Sequence, residues 1–184
     1  MKRIFLSLML LALATAPASA AHWNVDMAKS KLGFTLPWGK QPFVASFGKW
    51  QADIDFDPDN LAQSHVTTLI TLSSENSGDD DTDQALKSDQ GFGIGKFPGA
   101  KFESRSFQHL SGNNYAADGT LTIRGISKPV HMPFVLTTDG TNAHMIGDVQ
   151  IKWADFGLGQ EMGSEMPDLG KIVTIHADLT ARKG

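Results

Sequence analysis

Apolar and polar side chains alternate with a period of two in segment after segment of this chain, the signature of half-buried β-strands. Gly48 to Phe56 shows it most clearly, with Trp50, Ala52, Ile54 and Phe56 facing one way and Gln51, Asp53 and Asp55 the other. Lys31 to Leu36 puts Leu32, Phe34 and Leu36 on one face, and Val66 to Leu72 sets Val66, Thr68, Ile70 and Leu72 against Thr67, Leu69 and Thr71. Lys101 to Phe107, Tyr115 to Ile123, Val130 to Thr138, Ala143 to Trp153 and Lys171 to Arg182 complete a set of about eight predicted strands. Turn residues separate them: Asp57-Pro58-Asp59-Asn60, Ser111-Gly112-Asn113-Asn114, the Arg124 to Pro129 connection, and Asp139-Gly140. Gly147-Asp148 inside the penultimate strand predicts a bulge.

Short turns and the lack of strand–helix alternation predict one antiparallel sandwich or barrel, not a doubly wound parallel sheet. A closed barrel of about eight strands encloses room for packed side chains or one small ligand. The period places Trp50, Ile54, Phe56, Val130, Met132 and Phe134 inside. One long excursion breaks the pattern, from Ser73 to Pro98. Its acidic Ser77 to Asp83 leads into the helix-forming Gln84-Ala85-Leu86-Lys87-Ser88, with aspartates where the helix dipole favours them. Gly91-Phe92-Gly93-Ile94-Gly95 follows, flexible and apolar. The excursion predicts a lid over one mouth, Ser77 to Phe97, with Leu86, Phe92 and Phe97 turned inward.

The first twenty residues stand apart. Lys2 and Arg3 precede the apolar run Ile4 to Ala14, and Pro17-Ala18-Ser19-Ala20 offers small residues at the −3 and −1 positions. This predicts a signal peptide over residues 1–20, cleaved after Ala20, and a periplasmic domain over 21–184. The run is too short to span a bilayer comfortably, and no other stretch approaches a transmembrane helix. Loss of Lys2 and Arg3 takes the formal net charge from −4 to −6, so there is no basic footprint for nucleic acid. Cysteine is absent, which excludes disulfides, thiolate metal sites and cysteine nucleophiles.

Candidate chemistry is sparse. Six histidines show neither HExxH nor H-x-H spacing, and a cross-strand pair of His131 with His144 is outweighed by outward-facing surface histidine. Asp79-Asp80-Asp81 with Asp83 lacks the spaced calcium-loop pattern and suits a helix cap better. Met162 and Met166 are thin grounds for a copper site. No G-x-S-x-G elbow occurs, and Asp53 and Asp55 lie on the polar face of their strand. The expectation is no catalytic residue, no metal and no cofactor.

Taken in order, several segments resemble the YceI-like family of secreted polyisoprenoid-binding proteins. They are Trp23-Asn24-Val25-Asp26; Gly48-x-Trp50 with Ile54-x-Phe56-Asp57; Phe97-Pro98-Gly99-Ala100-Lys101-Phe102; Asp118 to Val130; and Asp155-Phe156-Gly157-Leu158-Gly159. The Arg-Asp-x-His-Leu pattern usual at the head of that family's helical segment reads Thr82-Asp83-Gln84-Ala85-Leu86 here. The aromatic pair after it is reduced to Gly91-Phe92, and an arginine before the D-F-G segment is replaced near Lys152-Trp153. The resemblance implies an eight-stranded lipocalin-like barrel holding an isoprenoid or other long lipid, with a quinone head group one option. Combined with the periodicity, it gives the expected ligand-binding set Phe34, Leu36, Trp50, Phe56, Leu86, Phe92, Phe97, Leu121, Val130, Met132 and Phe134. The alternatives are an enzyme acting on such a lipid and a ligand-free structural barrel. Oligomeric state is open, a homodimer included.

Overall fold

A computed structural model describes residues 20–159 and 170–184. The strands in chain order are β1 (Ala21–Val25), β2 (Lys31–Trp38), β3 (Gln41–Phe47), β4 (Trp50–Phe56), β5 (His65–Thr71) and β6 (Glu75–Asn76). After helix α1 (Asp80–Lys87) come β7 (Gly99–Ser111), β8 (Asn114–Ile123), β9 (Ile126–Thr138), β10 (Asn142–Lys152) and β11 (Ile172–Lys183). Every pairing is antiparallel. β1, β4, β5, β7, β8, β9, β10 and β11 follow one another around a ring that closes where β1 meets β11. This is the eight-stranded antiparallel barrel with one short helix that the family resemblance implies, within the sandwich-or-barrel class that the alternation predicts.

β1, β3 and β6 lie outside the predicted strands. β1 pairs near the end of β11, Trp23 opposite Lys183, and β2 continues along the same edge, Phe34 opposite Ile175. β3 then folds back on β2, and β6 pairs with β3. The sequence signal for β3 is weak because Pro42 and the small Ala45 interrupt an otherwise alternating Phe43, Ala45, Phe47. β6 is too short to show a period, and tertiary contacts define it.

The predicted bulge at Gly147-Asp148 is corrected, since β10 pairs with β11 without a break from Asn142 to Lys152. Gly147 instead gives room to a neighbour: a Cβ there would come within 2.9 Å of the Cβ of Phe134. The irregularities fall in β7, between Ser104 and Ser106 and between His109 and Ser111. The connection between β8 and β9 shrinks to the two residues Arg124 and Gly125, both at positive φ (52° and 74°), which suits the twist of a tight hairpin.

Candidate functional site

The inward faces of the strands enclose two apolar chambers at opposite ends of the barrel. Chamber one lies beneath α1 and draws on β2, β8, β10 and β11 through Phe34, Leu36, Leu121, Ile151 and Val173, with Leu86 and Phe92 from the excursion. Chamber two is walled by Trp23, Phe56, Phe107, Met132, Phe134 and Leu136. Counted with their open mouths, they hold about 760 and 720 Å³. No residue lines both, and among the described residues no ionisable side chain lines either.

A septum of packed side chains divides them. Trp50 packs with Leu32 and Ala177 in a cluster that includes Ile70 and Ile175 of chamber one and Met145 and Leu179 of chamber two. Phe102 touches the clusters on both sides. Chamber two is the more aromatic: Phe56 meets Phe107 and Tyr115 edge-on at 5.2 and 5.8 Å between centroids, and Tyr115 stacks on Phe134 at 5.6 Å.

The eleven expected ligand-binding residues therefore separate. Phe34, Leu36, Leu86, Phe92 and Leu121 line chamber one. Phe56, Met132 and Phe134 line chamber two. Trp50 sits in the septum, and Val130 packs against the core of chamber one without lining it. Phe97 is corrected: half-buried, it lines neither chamber and lies under the Arg124 guanidinium, 5.8 Å from ring centroid to Cζ. Cation–π attraction and the nearby Gly125 hold the ring there.

The Ser73 to Pro98 excursion covers chamber one. The Asp79 carboxylate caps α1 by accepting from the Thr82 N–H at 2.8 Å, so the acidic run serves as a helix start. After α1 the chain reverses tightly, with the Phe92 N–H donating to the Leu86 carbonyl at 2.6 Å. Gly91 sits so close to that carbonyl that no Cβ fits. Phe92 thus drops into the chamber, edge-on to Phe34 at 6.2 Å and tilted against Phe47 at 6.2 Å.

Two polar fastenings hold this lid, and neither is legible in the sequence pattern. Arg124 reaches from the β8–β9 turn to donate to the carbonyls of Asp89, at 2.8 Å, and Gly91. Beneath α1, Glu75 is 2% exposed, and neither of its carboxylate oxygens has a hydrogen-bond partner. Lys87 Nζ lies 3.9 Å from both the Glu75 and Asp83 carboxylates. Burial pushes the Glu75 carboxyl up to about 7, reinforced by the Asp83 charge and opposed by Lys87. Asp83 goes the other way: the Ser77 hydroxyl and N–H donate to it and hold its carboxyl below the usual range. One proton in this cluster therefore belongs on Glu75 near neutrality.

The histidines lie on the outer surface. His131 contacts Asp118 and His144 contacts Asp178, each at 2.7 Å, so the considered His131–His144 pair does not form. Register explains this, because His144 stands opposite Thr137, far along β9 from His131. Met162 and Met166 lie outside the described residues.

A closed antiparallel barrel with an apolar interior and a lid over one end defines the class. Residues 23–181 match the YceI-like domain, and the chain belongs to that family. A UPF0312 protein of Yersinia pestis (strain Pestoides F) is 26% identical over 160 residues, covering 84% of this chain and 80% of the relative. The crystal structure of Burkholderia cenocepacia BcnA superposes with a TM-score of 0.81 at 27% identity, over 85% of this chain and 99% of that one. A polyisoprenoid binding domain from Saccharophagus degradans has the same fold, with a TM-score of 0.71 at 15% identity over 89% of this chain and 99% of that one.

Proposed function

We propose that the protein binds a long neutral isoprenoid lipid non-covalently, with the chain in chamber one beneath the lid. The observation that carries this is a chamber of hydrocarbon and aromatic walls with no ionisable lining residue among the described residues, closed by a lid that polar groups fasten from outside it. The likeness of the fold to the Saccharophagus polyisoprenoid binding domain and the family membership support the ligand class. Each buried CH₂ contributes about 0.8 kcal/mol gross, so chain burial suffices for affinity without covalent chemistry. We take the role to be that of a carrier or store, not an enzyme, exported to the periplasm once residues 1–20 are removed, with a quinone-type head group as one option.

Capacity limits the ligand. The enclosed part of chamber one is only about 80 Å³, the rest of the 760 Å³ lying at its open mouth, so a long chain needs the lid to move or the walls to yield. A chain of about forty carbons, worth about −12 kcal/mol at roughly 0.3 kcal/mol per atom, needs both chambers and a septum that yields. The test is organic extraction and mass spectrometry of protein purified from its native host, beside Leu121→Trp, which fills chamber one. An isoprenoid lipid in the parent that is depleted in the variant supports the reading. A barrel that yields no lipid refutes it in favour of a structural role.

A further inference from the structure

The outer wall opposite the lid brings together a histidine and two carboxylates that the lipid site does not use. Asp53 and Asp55 are two residues apart on β4 and so share a face, and β1 places His22 directly opposite Asp55. His22 Nδ1 lies 3.0 Å from Asp55 Oδ1 and 3.7 Å from Asp53 Oδ1, and all three atoms fall within 4.8 Å of one another. Donors bound to one ion at about 2.0–2.1 Å sit roughly 2.9 Å apart at right angles and 3.4 Å apart in a tetrahedron. The two distances from Nδ1 are thus within a few tenths of an ångström of chelating ones, and the two carboxylates lie within 4.8 Å of each other. All four exposed His–Asp contacts are hydrogen bonds, but His131–Asp118, His144–Asp178 and His176–Asp148, at 2.7 Å, each gather one carboxylate. Among the described residues only His22 draws two carboxylates to itself.

A second feature comes from the sequence. Cleavage after Ala20, which is part of the function proposed above, leaves His22 as the second residue of the processed chain. The new α-amino group on Ala21 has an unperturbed pKa of about 8 and yields its proton to a metal at little cost near neutrality. An amine followed at once by a histidine forms two small fused chelate rings through the peptide nitrogen between them. Nitrogen and carboxylate donors in a tetragonal arrangement suit Cu(II), which also stands highest in affinity among the divalent first-row ions.

We propose that the processed chain carries a Cu(II) site made of the Ala21 α-amino group, the His22 peptide nitrogen and Nδ1, and the carboxylate of Asp55, with Asp53 as an outlying fifth donor. Binding releases the amine and peptide protons to solvent, and the copper stays Cu(II) throughout. Before processing, the Ala21 nitrogen is an amide, so removal of the leader creates the site.

The test titrates CuCl₂ against a competing chelator, with protein beginning at Ala21 and full-length protein beginning at Met1. The expected result is one Cu(II) per chain at Ala21, with electron paramagnetic resonance showing coupling to three nitrogens. Removing an anchoring nitrogen in His22→Gln, or retaining residues 1–20, weakens binding at least about hundredfold, and Asp55→Asn about tenfold. His144→Gln leaves binding unchanged, and the melting curve of each variant checks the fold. Equal affinity for His22→Gln or for the full-length chain overturns the proposal on chemical grounds. Native exported protein that begins elsewhere than Ala21, found by intact mass, overturns it through the processing step instead.

Discussion

The substitution Glu75→Gln tests the buried cluster beneath the lid. Glu75 has no exposed side-chain surface, no hydrogen-bond partner for either oxygen, and a carboxyl raised from 4.5 to about 7. The folded state therefore holds this proton more tightly than the unfolded chain. Stability attributed to Glu75 is full below about pH 4.5, falls as the unfolded carboxyl ionises first, and levels off above about pH 7. A shift from 4.5 to about 7 corresponds to a loss on the order of 3 kcal/mol across that window at 1.36 kcal/mol per unit. The glutamine amide keeps the shape, carries no charge and does not titrate. The variant should match the parent near pH 4.5 and exceed it by about 2–3 kcal/mol at pH 8, or roughly 4–12 °C in melting temperature for a domain of this size. Urea unfolding at half-unit steps from pH 4.5 to 8.5 measures this, and comparison with the parent cancels the other titrating groups. A difference between the two proteins that stays constant across that range refutes the assignment of the buried proton to Glu75.

Phe92→Ala removes the ring that lies edge-on to Phe34, so release of a bound fluorescent fatty acid should accelerate about tenfold or more, with a loss of roughly 2–4 kcal/mol in lid docking seen as faster amide exchange over Asp80–Lys87. Arg124→Ala deletes the bonds to the Asp89 and Gly91 carbonyls and should speed release while costing about 1–2 kcal/mol in global stability, measured by stopped flow and urea titration. Phe102→Ala thins the septum, and the longest isoprenoid retained after extraction should be longer than in the parent, read by mass spectrometry. Edman sequencing or intact mass of exported protein should give Ala21 as the first residue.

The sequence by itself determined the class of fold and the faces of the strands. Alternation is local, so Leu32, Phe34 and Leu36 are assigned to one face without knowing what lies opposite. Aspartates ahead of Gln84 to Ser88 likewise mark a helix start, because capping acts within one turn. The ordered motifs from Trp23 onward carry the resemblance to the YceI-like family, to which the chain belongs. Tertiary structure alone decided which inward residues meet. Phe34 and Phe56 share a period but belong to different chambers, since Trp50 and Phe102 fill the barrel between them. Phe97 lies outside both chambers, half-buried under Arg124, 27 positions further along the chain, which supplies a cation for its face. Nothing in the local pattern singles out Glu75, which is buried only because β6 meets β3 beneath α1. His22 lies far from Asp53 and Asp55 in the chain and meets them through the β1–β4 pairing. Periodicity fixes direction relative to the local backbone, whereas chamber walls, septum, lid fastenings and ion clusters depend on neighbours that only long-range strand pairing brings together.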